Sequence, residues 1–400
     1  MAQYFKNPKT GKYGFRIFYN DKNGKRRSIQ KTIFKRQSDA RKYAEKLENR
    51  VNETDIEKAE TITFAKYFSE WMYAYKIGRY TKSTDNKYIN AQKFIENYFK
   101  DTLLKNISKM DYQGFIDDYA KDHVKESIER LNGYIQSCIA EAIDEELIHR
   151  NFTRNLVITT NKKSKPADLK YLELDVASRL KEMALKDESI FNISAYEIVF
   201  ALDTGARYAE IAGMTWDNID LDNNTIYIKR TYDYKERTGF LPTKTESSVR
   251  ELAISDNLKR SLKKLQLQQR KLFLRQGFDN KHKFVFMNNR HQIPSDSAAN
   301  KVLRNYLKSI DTQNYKSKGL NDKEIEKKIH SKVKKNEYIG MHGLRHTHAS
   351  YLFSQGLSLE YVSQRLGHSN IGITSKIYVH ILKDYKERED VKAMEVLENL

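Results

Sequence analysis

Three short stretches of the chain carry residues suited to work on a phosphate diester. In Thr204-Gly205-Ala206-Arg207 a glycine ends one helix and an arginine opens the next, with Glu210 three positions on. His342-Gly343-Leu344-Arg345 sets a histidine and an arginine at i, i+3, nearly on one helical face. Leu366-Gly367-His368 adds a histidine at a glycine-marked helix end, and Tyr378 follows ten residues later. Breaking a phosphodiester without metal needs a nucleophile, a proton donor for the leaving oxygen, and cations for the charge growing on the phosphoryl oxygens. A guanidinium matches two phosphate oxygens at once and stays charged at any usable pH. Arg207 and Arg345 are therefore expected to bracket a phosphate, with His342 and His368 as further donors or proton carriers. Losing one such donor typically costs on the order of 10²–10³ in rate.

Two other chemistries compete for these residues. His342, His346 and His348 are close in sequence, and i, i+4 histidines can share a metal ion. A zinc hydrolase would add the glutamate of HExxH, and a two-metal nuclease would add a carboxylate cluster; neither pattern surrounds these histidines. The alternative from another class is a non-catalytic DNA-binding regulator, which would have no need of Arg207, Lys244, His342, Arg345, His368 and Tyr378 as a set.

The elements that must position these residues are legible in composition and periodicity. Four hundred residues with 39% hydrophobic content can fill two or three cores, and 12% aromatics argue against long disorder. A formal charge of +19 points to a polyanion, with nucleic acid first and a membrane surface second. No apolar run reaches the roughly 18 residues of a membrane span, and the opening residues lack a secretory core, so a cytoplasmic location is expected. The single cysteine, Cys138, excludes an internal disulfide and a cysteine metal cluster.

Residues 1–55 hold fifteen Lys/Arg against six Asp/Glu, a net of +9. Turn signals there separate Tyr13–Tyr19 and Ser28–Phe34, and an apolar face follows at Ala40, Tyr43, Ala44 and Leu47. The expectation is a three-stranded sheet on one helix, with Arg16, Lys25, Arg26 and Arg27 on the exposed face. From Thr63 to about Leu156 the period is helical: Phe64, Phe68, Trp71 and Tyr75; Tyr88, Ala91, Ile95 and Tyr98; Tyr112, Phe115, Ile116 and Tyr119; Ile128, Leu131, Ile135, Cys138 and Ala142. A charged, proline-bearing linker, residues 161–168, precedes a mixed segment. In that segment Leu174–Lys186 and Ser194–Asp203 read as helices, Thr225–Arg230 and Val249–Ile254 as strands. Phe240–Thr243 is expected to pair with the second strand. Leu258, Leu262, Leu265 and Leu272 mark a further helix, and the basic stretch Asn314–Lys335 is expected to be a mobile loop with a short helix. Three domains result: 1–55, 62–160 and 168–400. The fold class is mainly α with small β-sheets.

Read together, the TGxR turn, the HxxR box and the LGH…Y tail resemble the tyrosine recombinases, the integrase family of phages and integrative elements. The resemblance covers the whole chain. It implies an amino-terminal arm-type DNA-binding domain, a helical core-binding domain and an α+β catalytic domain. It implies Tyr378 as the nucleophile of a 3′-phosphotyrosyl link, Lys244 as the acid for the 5′ oxygen, and Glu210 as a supporting acidic residue. Arg207, His342, Arg345 and His368 complete the implied catalytic set, with no metal and no cofactor. Double-stranded DNA with core and arm-type attachment sites, a homotetramer on that DNA, and an excision factor or host DNA-bending protein are the implied partners. Ala206 departs from the pattern, standing where the family carries a bulkier apolar residue. The terminal stretch Lys383–Leu400, with Val391, Met394 and Leu397 at helical spacing, is expected to dock on a neighbouring subunit.

Overall fold

The computed structural model describes residues 2–8, 10–20, 26–51, 56–162, 171–243, 245–375 and 394. Lys25, Lys244, Tyr378 and, apart from Met394, the stretch 383–400 lie outside the described residues. The chain divides into two compact units, Met1–Ser164 and Lys165–Leu400.

The first unit opens with an antiparallel sheet of β1 (Gln3–Lys6), β2 (Tyr13–Asn20) and β3 (Arg26–Phe34), in that order, followed by α1 (Gln37–Val51). Alternation along β2 turns Phe15 and Ile17 inward onto Ala40 and Ala44 of α1, all essentially inaccessible. Phe34 and Tyr43 close this small core against Phe15, with ring centroids 5.3–6.0 Å apart. Arg16 falls on the opposite, exposed face, where its Nε donates to Gln30 Oε1 at 2.8 Å. Arg26 stacks over the Phe18 ring at 4.7 Å. The register pairs Arg27 with Tyr19; its side chain is not among those described.

Five helices complete the unit: α2 (Ile56–Thr61), α3 (Phe64–Tyr75), α4 (Lys82–Phe99), α5 (Lys109–Ala120) and α6 (Lys125–Asp144). Their apolar stripes form one core in which Phe64 meets Phe99 and Phe152 edge to face, at 5.2 and 5.9 Å. Thr63 caps α3 through its side chain, and Ser108 with Asp111 forms a capping box on α5. Cys138 is fully buried, and burial raises its thiol pKa, so it packs as an apolar residue. Two members of the expected stripes lie outside the core: Tyr75 and Tyr98 are each 41% exposed. Each lies in the last turn of its helix; in α4 the neighbouring Phe99 is the buried residue, and Tyr98 packs on Phe99 and Phe115 from the rim, at 5.0 and 5.2 Å.

In the second unit, α8 (Ile193–Thr204) is apolar almost all round and is the central helix. Packed on it are α7 (Leu174–Lys186), α10 (Asp256–Gln276), α11 (Asp296–Ser317) and α13 (Met341–Ser354). The short α9 (Tyr208–Ala212) follows α8 directly, and α14 (Leu359–Leu366) follows α13. One sheet has the order β4 (Ile219–Asp220), β5 (Thr225–Ile228), β8 (Arg250–Ala253), placing Ile226, Ile228 and Leu252 in the core. A second, two-stranded sheet pairs β6 (Arg230–Tyr232) with β7 (Phe240–Pro242).

Three features differ from what the sequence suggests. Phe240–Pro242 pairs with β6, while β8 pairs with β5. Side-chain stacking accounts for the choice: Tyr232 and Phe240 lie across from each other at 5.7 Å, the Arg230 guanidinium covers the Phe240 ring at 3.7 Å, and Phe240 stacks on Phe284 at 5.0 Å. The basic stretch 314–335 is an ordered helical pair, the end of α11 and α12 (Asp322–Lys334). An Asn321–Glu324 capping box starts α12, Ile325 anchors it, and Lys332 pairs with Asp311 at 2.9 Å while lying over the rings of Tyr315 and Tyr338. On α10, Leu272 is half-buried and Phe273 closes the stripe.

Candidate active site

Two glycine turns and the start of one helix bring the three signature stretches together. Gly205 ends α8 in the left-handed region (φ 63°), donating to Ala201 O at 2.9 Å. A Cβ there would lie 2.7 Å from the His348 ring, so the turn that aims Arg207 tolerates glycine for both backbone and packing reasons. Gly367 ends α14 in the same conformation (φ 67°), and His368 N donates back to Ser363 O at 3.1 Å. At the start of α13, Met341 N donates to the Asn300 side chain at 2.7 Å, setting the first turn that carries His342.

The two arginines are each held by the backbone of another signature stretch. Arg345 Nη1 donates to Gly205 O at 2.8 Å and Arg207 Nη2 donates to Gly367 O at 3.3 Å. Arg345 is 2% exposed, while the Arg207 side chain retains 32% of its surface. Glu210 clamps Arg207 twice: its carboxylate accepts from Arg207 N at 2.9 Å and from Nη1 at 2.8 Å. That carboxylate is itself buried, and burial would raise its pKa; the guanidiniums of Arg250 and Arg207 outweigh burial and lower it, so Glu210 stays an anion.

Both signature histidines are held neutral. Burial, followed by the charges of Arg345 and Arg207, lowers the His342 pKa. The same causes, with His346 and Arg250 behind them, bring His368 down to about 4. His368 Nδ1 lies 2.6 Å from the buried Thr374 hydroxyl, an arrangement that directs Nε2 elsewhere. His346 meets His342 edge to face at 4.9 Å. His348 is structural: it is fully packed, its Nδ1 lies 2.9 Å from Leu202 O, and Arg365 Nε donates to its Nε2 at 3.1 Å. Among the described residues, no three His, Cys, Asp or Glu side chains are grouped to hold a metal ion.

The structure thus brings together Arg207, Glu210, His342, Arg345 and His368. Lys244 and Tyr378 lie outside the described residues. Their neighbours reach the cluster: Thr245 Oγ1 lies 2.9 Å from Ser248 Oγ, which accepts from Arg207 Nη1 at 3.4 Å, and Thr374 touches His368. Arg250, Ser248 and Thr374 are parts of the site that the motifs did not mark. For Arg250 a signal was present: alternation puts it on the same face of β8 as the buried Leu252, a place where an unpartnered arginine is not tolerated.

The profile of the phage integrase family matches residues 170–384. The integrase of Staphylococcus phage L54a is 25% identical, over 89% of this chain and 98% of its own length. A XerC-like tyrosine recombinase of Caldanaerobacter subterraneus subsp. tengcongensis is 25% identical over the whole of both chains. The integrase of transposon Tn1549, solved in complex with transposon right end DNA, has the same fold: TM-score 0.63 at 16% identity, over 83% of this chain and 99% of that one. No described helix is long and apolar enough to cross a membrane. With the matched profile spanning more than half of its length and all the residues of the cluster, the chain belongs to the phage integrase family and is a tyrosine-type site-specific DNA recombinase.

Proposed function

We propose that this recombinase integrates and excises a phage or mobile element by cutting and rejoining DNA through a link to Tyr378. The phenolic oxygen attacks the scissile phosphorus, the bond to the 5′ oxygen breaks, and a 3′-phosphotyrosyl link and a 5′-hydroxyl result. Lys244 supplies the proton to the leaving oxygen. A phenol with a pKa near 10 needs help to ionise, and the neutral His342 can take its proton. Arg207 and Arg345 neutralise the phosphoryl oxygens, and His368 donates from Nε2. The bond energy is kept in the link, so a 5′-hydroxyl from another strand reverses the step without ATP.

The observation that carries this reading is the interlock of Arg345 with Gly205 O and of Arg207 with Gly367 O, which holds two cations and two neutral histidines on one site. Preorganised donors of this kind cost no rearrangement when charge develops. Residues 1–55 are assigned to arm-type DNA sites through Arg16, Lys25, Arg26 and Arg27, and residues 62–160 and 168–400 to the core site. Strand exchange joins two duplexes and needs four cuts, so the working unit is a tetramer on DNA, its direction set by an accessory excision or DNA-bending protein.

The test is a nicked duplex carrying the attachment core, incubated with the full chain in EDTA and resolved under denaturing conditions. A covalent protein–DNA adduct is expected from the wild type and none from Tyr378→Phe. An adduct that persists in Tyr378→Phe would remove that residue from the role, and a need for divalent metal would favour a nuclease.

A further inference from the structure

Arg250 projects from β8 into the site, yet its side chain is only 6% exposed and its donors are taken by protein. Nε donates to Arg365 O at 2.7 Å, and Nη1 to Ser248 O at 2.9 Å. The remaining contacts go to Glu210, from Nη2 to Oε2 at 3.0 Å and from Nη1 to Oε1 at 3.4 Å. Glu210 is the carboxylate that holds Arg207, and Arg365 lies in the last turn of α14, just before Gly367 and His368. The fit at that turn is close: a Cβ on Gly367 would come within 2.9 Å of Arg250 Nη1.

The charges make the arrangement more than a brace. A buried carboxylate facing one guanidinium would cancel the charge that Arg207 offers to a phosphate. Shared between two guanidiniums, it leaves the group of three with one net positive charge at the surface-facing member, Arg207. We propose that Arg250 is a positioning residue of the recombination site: by sharing Glu210 it leaves Arg207 electrostatically free for the scissile phosphate, and by holding the carbonyl of Arg365 it fixes the turn that presents His368. This rests on the reading of Arg207 and His368 as phosphate-binding groups.

Arg250→Gln removes both the charge and the fork, Arg250→Lys keeps the charge alone, and Glu210→Gln/Arg250→Gln removes the carboxylate as well. The measurements are single-turnover cleavage of the nicked attachment duplex by full-length protein, affinity for the same duplex, and titration of the His368 ring by NMR. Arg250→Gln is expected to cleave about 10²-fold more slowly, the size of effect seen when one transition-state donor is lost. Its DNA affinity should change little, because many phosphate contacts share that affinity. The double variant should be faster than Arg250→Gln, since no carboxylate remains to cancel Arg207. Arg250→Lys should fall between Arg250→Gln and the wild type. His368 faces Arg345, Arg207, His346 and Arg250, so losing one of these cations should move its titration upward in Arg250→Gln. Wild-type cleavage by folded Arg250→Gln would overturn the proposal, and so would a double variant as slow as the single one with His368 unmoved. Should Arg250→Gln fail to fold, wild-type cleavage by Arg250→Lys would overturn it. Arg207→Ala, run in parallel, separates the two levels: normal cleavage there sinks the site assignment, whereas a dead Arg207→Ala beside an unimpaired Arg250→Gln sinks only the role of Arg250.

Discussion

In the helical part of the first unit, Phe64, Phe68, Phe99, Phe115 and Phe152 meet around a core whose described buried polar side chains are Gln92 and Thr153. In the second unit, burial extends to Glu188, Glu197, Glu210, Arg250, Arg345 and His348. Apolar area stabilises roughly in proportion to what is removed from water, whereas a buried charge costs several kcal/mol unless partners surround it. The helical core is thus arranged for stability, and the second unit sets part of its stability against a fixed electrostatic field. Most of these buried ionisable groups lie on the three signature stretches or touch them, and the charged ones, Glu210, Arg250 and Arg345, are in place before charge develops on a phosphate.

The comparison can be broken at four places. The largest effect is expected from Phe64→Ala in the helical core, about 3–5 kcal/mol of stability. Denaturant unfolding should show it, while cleavage by the folded protein at low temperature stays intact; a rate defect without a stability defect would reverse the contrast. Arg345→Ala should do the opposite, lowering single-turnover cleavage by about 10²–10³ with most DNA affinity retained. Equal losses in binding and cleavage would make Arg345 an ordinary binding residue.

Buried ionisable groups should also show in pH dependence. Glu197 accepts from the Tyr208 hydroxyl at 3.0 Å, and burial pushes its pKa from 4.5 up to about 8. A raised folded value means that the stability from its neutral form is complete below about pH 4.5 and lost as pH rises towards 8. Glu197→Gln should therefore raise the melting temperature more at pH 8 than at pH 5; an equal shift at both would show that Glu197 does not titrate in this way. The histidines run the other way. Burial first, then neighbouring cations, hold His348 and His368 down to about 4 from 6.5, so their contribution is complete above pH 6.5 and lost as pH falls towards 4. The smallest effect is expected at the amino-terminal sheet: Arg16→Gln should lower the salt slope of arm-site binding by about one and leave cleavage of bound core DNA unchanged. A change in cleavage rate would tie the sheet to the chemistry.

Periodicity placed Phe64, Phe68, Tyr88, Ile95, Ile128 and Ile135 inside, because a helix reports its buried face every three or four residues. It misjudged Tyr75 and Tyr98, which lie at the rim of the core: Tyr98 packs against Phe99 and Phe115 at 5.0 and 5.2 Å yet keeps 41% of its surface exposed. It misread 314–335 because lysine-rich sequence hides stabilisation that comes from an Asn cap, one buried isoleucine and a carboxylate on the preceding helix. The pairing of β7 was similarly nonlocal, decided by Phe284 beyond the sheet.

For the site, the three spaced stretches offered Arg207, His342, Arg345 and His368, since guanidinium and imidazole suit phosphate chemistry, and the family resemblance those stretches carry added Glu210. Tertiary structure decided what holds them. Arg345 is pinned by the carbonyl of Gly205 and Arg207 by that of Gly367, partners 140 and 160 residues away. Every residue carries the same backbone carbonyl, so no residue type marks which one will serve; only the folded chain brings that oxygen to the arginine.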